Sequence, residues 1–215
     1  MKGELLENRI VVWDRRESRD LFANGYFGKP IGIPKPNVND INVPLILDLI
    51  EGCYLQETSK IKITKDGKKV SLDALIKICK KEYHNFGKKY QVYKDFRDKG
   101  YVINPGIKFG CDFAVYQKGP GIDHAPYLVQ VYNKNDDISS TAVVLAGRLA
   151  SSVKKQFILA IPRSKSKIDY LSLIGGELIN FFYVACNIVI NIKQFFCDAK
   201  IMTIFPFSVN AYSII

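Results

Sequence analysis

The sequence predicts an α/β chain: an α+β amino-terminal domain over residues 1–85, an α/β domain over 86–174, and an apolar tail over 175–215. Three observations lead there. Short apolar runs of strand type alternate with stretches of helical period. A Lys-rich junction with a single His interrupts them near 84–88. From Leu171 the composition changes: the last 45 residues carry four charges (Glu177, Lys193, Asp198, Lys200) and eight aromatic residues.

Taken in order, Arg9–Trp13 reads as a strand and Arg15–Asn24 as a helix stopped by Gly25. Pro34 to Pro44 holds too many breakers for a regular element. Leu45–Gln56 has apolar residues at helical spacing (Leu45, Leu49, Cys53), which predicts one helix. Ile61 and Ile63 begin a strand that turns at Asp66-Gly67, and Ser71 caps a helix reaching about Tyr83. The second domain opens with a helix over Phe86–Lys99, ended by Gly100. Strands are expected at Tyr101–Asn104, Lys108–Gln117 and Tyr127–Tyr132, then a helix over Ser139–Lys155 and a buried strand over Gln156–Ile161. In the tail the two longest charge-free runs are 15 residues each, short of the ~20 that span a bilayer, so no membrane span is expected.

The chain of 215 residues has 47% apolar residues, enough for a core, and a net charge of +10. Lys60 to Lys108 holds 14 basic against 5 acidic residues, and Arg148 to Lys167 holds six basic and none acidic. Such a balance favours phosphate-rich partners over acidic proteins, although solvated helix faces account for much of it. The five cysteines (53, 79, 111, 186, 197) form no CxxC pair, and His84 and His124 stand far apart. No structural zinc site follows from that pattern, and with no secretory signal a reducing interior is the expected compartment.

One stretch carries chemistry. A strand ending at Tyr116 runs into Gly119-Pro120-Gly121, with His124 on the loop beyond and Lys154 and Lys155 closing the next helix. A Tyr, a His and a Lys at one edge of a sheet suit attack of a ribose 2′-hydroxyl on its own 3′-phosphate. That reaction needs a base, an acid for the leaving 5′-oxygen and a cation for the phosphorane charge, and no metal. Histidine, with a free pKa of about 6.5, is the natural acid or base. Tyrosine starts from a pKa of about 10, a handicap of about 4 kcal/mol at pH 7, which a nearby ammonium lowers. Taken singly, each residue has an ordinary reading: a surface His, a packed Tyr, a Lys pair complementing a helix end. Cys111, among apolar neighbours, reads as a packed thiol. Asp112 with Gln130 and Lys134 makes a poor metal-nuclease set, for want of a second carboxylate.

The run Tyr93-Lys-Asp-Phe-Arg-Asp-Lys-Gly-Tyr-Val-Ile-Asn-Pro-Gly-Ile-Lys-Phe-Gly-Cys-Asp-Phe-Ala-Val-Tyr116 resembles a stretch of the archaeal tRNA-splicing (tRNA-intron) endonucleases, with Ile103 where their pattern has Val. Gly-Pro-Gly-Ile-Asp-His124-Ala-Pro-Tyr resembles their histidine loop, and Arg148-Leu-Ala-Ser-Ser-Val-Lys-Lys155 their lysine helix end. Gly25-Tyr-Phe-Gly-Lys-Pro resembles the amino-terminal domain of crenarchaeal-type subunits. The resemblance covers roughly residues 3–170 and implies a restriction-endonuclease-like α/β catalytic domain behind the α+β domain. It implies Tyr116 as general base, His124 as general acid and Lys155 as transition-state stabiliser. Arg148 is implied to stack on a bulged base, with Lys154 beside it as a further RNA contact. The implied substrate is precursor tRNA with a bulge–helix–bulge, cut to 2′,3′-cyclic phosphate and 5′-hydroxyl ends in a lyase-type transfer, in the cytoplasm and without a cofactor. The implied partners are two non-catalytic paralogous subunits in a heterotetramer, or further copies of the chain in a homotetramer. Asp136 and Asp137 are the candidates for the acidic loop that docks on a neighbour. The competing expectation is a non-catalytic RNA-binding subunit of the same fold, which would lack part of the Tyr–His–Lys set. A second base-stacking residue has no clear equivalent beyond Arg163, and the tail from 175 is an addition to the family's usual length.

Overall fold

The computed structural model describes residues 1–180 apart from positions 35, 39, 40, 123, 175 and 176, and without the side chains of 140, 143, 150, 173, 174 and 177–180. The chain runs β1 (Lys2–Leu6), β2 (Arg9–Val12), α1 (Arg15–Ala23), β3 (Lys29–Pro30), β4 (Leu45–Leu47), α2 (Leu49–Glu57), β5 (Lys62–Lys65), β6 (Lys68–Lys69) and α3 (Leu72–Glu82). It continues through α4 (Phe86–Asp98), β7 (Val102–Pro105), a 3-10 turn (Ile107–Phe109), β8 (Phe113–Tyr116), β9 (Tyr127–Val131), α5 (Ser140–Ser152), β10 (Gln156–Ser164), β11 (Lys167–Ile174) and β12 (Glu177–Asn180). Two six-stranded sheets result, in the orders β3-β4-β2-β1-β5-β6 and β12-β11-β10-β9-β8-β7. The α/β expectation therefore holds.

In the first sheet β1 pairs in parallel with β5, and the other neighbours are antiparallel. In the second only β9 and β10 are parallel, joined by α5 as the crossover such a pair requires. One apolar core spans both halves. It runs from Ile10, Leu45, Cys53 and Leu75 to Tyr93, Phe96, Ile103, Phe113 and Ile158, with α2, α3 and α4 between the sheets' contributions. A smaller cluster (Ala114, Leu128, Ala146, Phe157, Leu159) lies under α5 on the other face of the second sheet.

Several local expectations change. The helix expected from Leu45 begins at Leu49. Leu45 and Leu47 are buried on alternate positions of β4, and Asp48 then starts α2 with a capping box: its carboxylate accepts from Ile50 N while Glu51 reaches back to Asp48 N. A three-residue strand was hidden because Leu-Ile-Leu fits either period. The strand expected over Lys108–Gln117 is shorter, because Gly106 N–H bonds to Asp112 O at 2.9 Å and closes a loop holding the 3-10 turn. Strand β10 runs on to Ser164, beyond the expected Ile161. The helix before it ends at Ser152, with Val153 as C-cap and Lys154 in the left-handed region at φ 52°. Strand β1, with only Gly3 and Leu5 buried, carried no periodic signal strong enough to predict it. Of the tail, β12 pairs with β11, and 181–215 lie outside the described residues. Among the described residues no helix is long and apolar enough to cross a membrane.

Candidate active site

The position of the site follows from strand register. Val115 on β8 lies opposite Tyr127 on β9, and Tyr127 lies opposite Gln156 on β10. The row Val115–Tyr127–Gln156 crosses three strands, so its ends are about 10 Å apart at the usual strand spacing. Strand β8 is antiparallel to β9 and β10 is parallel to it, so the end of β8 meets the starts of β9 and β10 at one edge. Tyr116 lies one residue past the row, Lys155 one residue before it, and His124 three residues before Tyr127. The three residues singled out from sequence thus share one sheet edge.

Each is held differently. Tyr116 is half-buried and packs against the smaller cluster, as Phe109, Leu149 and Val153 do. The Lys155 ammonium donates to the carbonyl of Ala125, the residue after His124, and lies 5.6 Å from the Phe109 ring centroid. That places a cation against an aromatic face and fixes it beside the histidine loop. Gln156 N–H donates to Pro126 O at 2.8 Å, so the start of β10 grips the entry to β9 twice. His124 itself is exposed.

Arg148 and Lys154 are exposed as well. Helix α5 turns Ala146, Leu149 and Val153 toward the sheet, which leaves Arg148 on the outer side next to exposed Val144 and Leu145. Asp136 and Asp137 lie exposed in the loop between β9 and α5. Asp136 accepts from Asn133 N (2.7 Å) and Asn133 Nδ2, which hold its carboxyl below the usual carboxylate range. It shapes its own turn.

The lesser candidates resolve plainly. Asp112 forms an ion pair with Lys89 at 2.6 Å and accepts from Gln130 Nε2 and Val131 N, so it is a structural carboxylate. Among the described residues no group of three His, Cys, Asp or Glu could hold a metal ion. Burial pushes the Cys111 thiol up to about 11, away from nucleophile chemistry. Cys53 and Cys79 are buried free thiols whose sulfurs approach to 3.3 Å. Arg163 is bound to Asp169 at 2.6 Å across the β10–β11 hairpin. His84 is exposed near Asp136.

A buried network that leaves little trace in the sequence joins the two halves. Arg97 on α4 donates to Gly25 O (2.7 Å), Ile103 O (3.2 Å) and Tyr93 Oη (2.9 Å), and stacks 4.1 Å from the Phe27 ring centroid. Glu51 lies 4.0 Å from the same guanidinium and accepts from Gly28 N at 2.9 Å. The turn Gly25–Gly28 is clamped from both sides. A charged residue inside an apolar helix face was the available signal.

With this geometry in view, comparison with known proteins gives the class. Residues 1–76 match the tRNA intron endonuclease N-terminal domain and residues 86–170 the tRNA intron endonuclease catalytic C-terminal domain. The chain belongs to the tRNA intron endonuclease family. It is 44% identical over 176 residues to a tRNA-splicing endonuclease of Hyperthermus butylicus, covering 80% of this chain and 97% of that protein. It is 43% identical over 173 residues to one of Sulfurisphaera tokodaii (80% and 96%), and 43% over 164 residues to one of Pyrobaculum islandicum (74% and 90%).

Proposed function

We propose that the chain is a catalytic subunit that excises introns from precursor tRNA at bulge–helix–bulge sites, without a metal, leaving 2′,3′-cyclic phosphate and 5′-hydroxyl ends. The observation that supports this is the strand register, which sets Tyr116 one residue past the Val115–Tyr127–Gln156 row, Lys155 one residue before it and His124 three residues before Tyr127. Tyr116 takes the proton of the 2′-hydroxyl as its oxygen attacks the adjacent phosphorus. His124, as imidazolium, gives its proton to the departing 5′-oxygen. Lys155 supplies a fixed positive charge for the phosphorane. The bond to Ala125 O holds the ammonium beside the histidine loop. Exposure suits His124, which must regain a proton from water after each turnover.

Arg148, exposed on α5, stacks on an unpaired base, and Lys154 contacts backbone phosphate. Two such chains join two non-catalytic paralogues, or four join as a homotetramer, and the assembly works in the cytoplasm, where precursor tRNA is made. The loop of Asp136 and Asp137 docks on a neighbouring subunit. A cleft of ≈ 660 Å³ at the start of α4, lined by Lys80, Lys88 and Lys165, has the charge to receive such a loop.

The test is cleavage by His124→Ala under saturating enzyme. The reading expects the rate to fall about 10²- to 10⁴-fold with RNA binding retained. An unchanged rate would remove His124 as the acid.

A further inference from the structure

The histidine loop is anchored downstream by Lys155 at Ala125. Its upstream anchor comes from the amino-terminal half. Gly119 is buried at φ 135°, and a Cβ placed there would fall 2.4 Å, 2.6 Å and 2.8 Å from Cε2, Cδ2 and Cζ of Tyr26. The Tyr26 ring therefore lies directly on the Gly119 backbone, where only glycine fits. From there Ile122 N–H bonds back to Gly119 O at 3.1 Å, which makes Gly119–Ile122 a closed turn leading to His124.

Tyr26 is itself held in an uncommon conformation. Its φ is 53°, its N–H donates to Phe22 O at 2.7 Å, and its ring meets Phe22 edge-on at 5.1 Å. The turn that carries it is the one gripped by Arg97 and Glu51. A non-glycine residue at positive φ is strained and persists where its surroundings over-determine it. Here those surroundings are the interdomain clamp on one side and Gly119 on the other.

We propose that Tyr26 is a positioning residue: its ring pins Gly119 and so sets where His124 meets the departing 5′-oxygen. This rests on His124 being the general acid. It assigns to the amino-terminal half a part in the chemical step.

The experiment uses the full chain, with its partner subunit if one is needed, and two RNA substrates. One is a bulge–helix–bulge RNA; the other carries a 5′-bridging sulfur at the cut, whose thiolate leaves without an acid. Tyr26→Ala is expected to lower kcat on the ordinary RNA about a hundredfold, the cost of a reacting group displaced by roughly 1 Å, with KM unchanged. On the sulfur substrate it should approach the unsubstituted enzyme, as His124→Ala should. Tyr26→Phe keeps the ring and should recover most of the rate. Gly119→Ala forces ring and loop apart with the amino-terminal half intact, and should repeat the Tyr26→Ala pattern even if that variant folds poorly. Rescue of His124→Ala without rescue of Tyr26→Ala or Gly119→Ala overturns the role of Tyr26. Failure to rescue His124→Ala overturns the acid assignment and the inference with it.

Discussion

Replacing Arg97 by Ala should destabilise the whole chain rather than the site alone. The side chain is buried at 8% exposure, donates to two backbone carbonyls and the Tyr93 hydroxyl, and stacks on Phe27. Truncating one partner of a buried ion pair typically costs about 3–5 kcal/mol, because the other charge and its acceptors are left behind. Loss of the desolvated stack on Phe27 adds about 2 kcal/mol. Part of this is recovered, because burial already raises the Glu51 pKa against the opposing pull of Gly28 N–H and Arg97, so an orphaned Glu51 takes up a proton. The net expectation is about 4 kcal/mol, or a Tm lower by about 10 °C for a chain of this size. Urea unfolding followed by circular dichroism measures it, and Arg97→Lys, which keeps the charge without the planar fork, should restore less than half. A loss below about 1 kcal/mol would refute the view that this network joins the halves.

Two further outcomes follow from the same geometry. The folded-state pKa of Glu51 lies above its ordinary value of 4.5, so between the two the native chain binds more protons than the unfolded one and stability falls as pH rises. Glu51→Gln, which gives up one of the two accepted backbone bonds, should lower Tm overall yet flatten that fall when Tm is scanned upward from pH 4.5. Lys154→Gly, at φ 52°, should hold or raise Tm by relieving about 1 kcal/mol of left-handed strain, while weakening RNA binding in a filter assay; a lower Tm would show that the lysine side chain matters to the fold.

Local signals were legible where one side chain decides one element. Ser71 accepts from Ala74 N as an N-cap should, Asp66-Gly67 turns β5 into β6, and Gly100 follows α4 at φ 85°. Where two periods compete over a few residues, reading fails, as at Leu45–Leu47 against α2 and in the loop from Gly106 to Asp112. The set Tyr116, His124 and Lys155 could be named because each lies in a motif that resembles the family's, at a strand end, on a Gly-Pro-Gly loop and at a helix end. Its supports could not. The bond from Lys155 to Ala125 O spans 30 positions and the contact of Tyr26 with Gly119 spans both halves, so neither leaves a local trace.

The central claim is tested most directly by incubating the purified chain, with and without a non-catalytic paralogue, with a bulge–helix–bulge RNA in EDTA and analysing the product ends. The account predicts cuts at both bulges with 2′,3′-cyclic phosphate and 5′-hydroxyl ends. Cutting that appears only when magnesium is added, or ends bearing a 5′-phosphate, would contradict it.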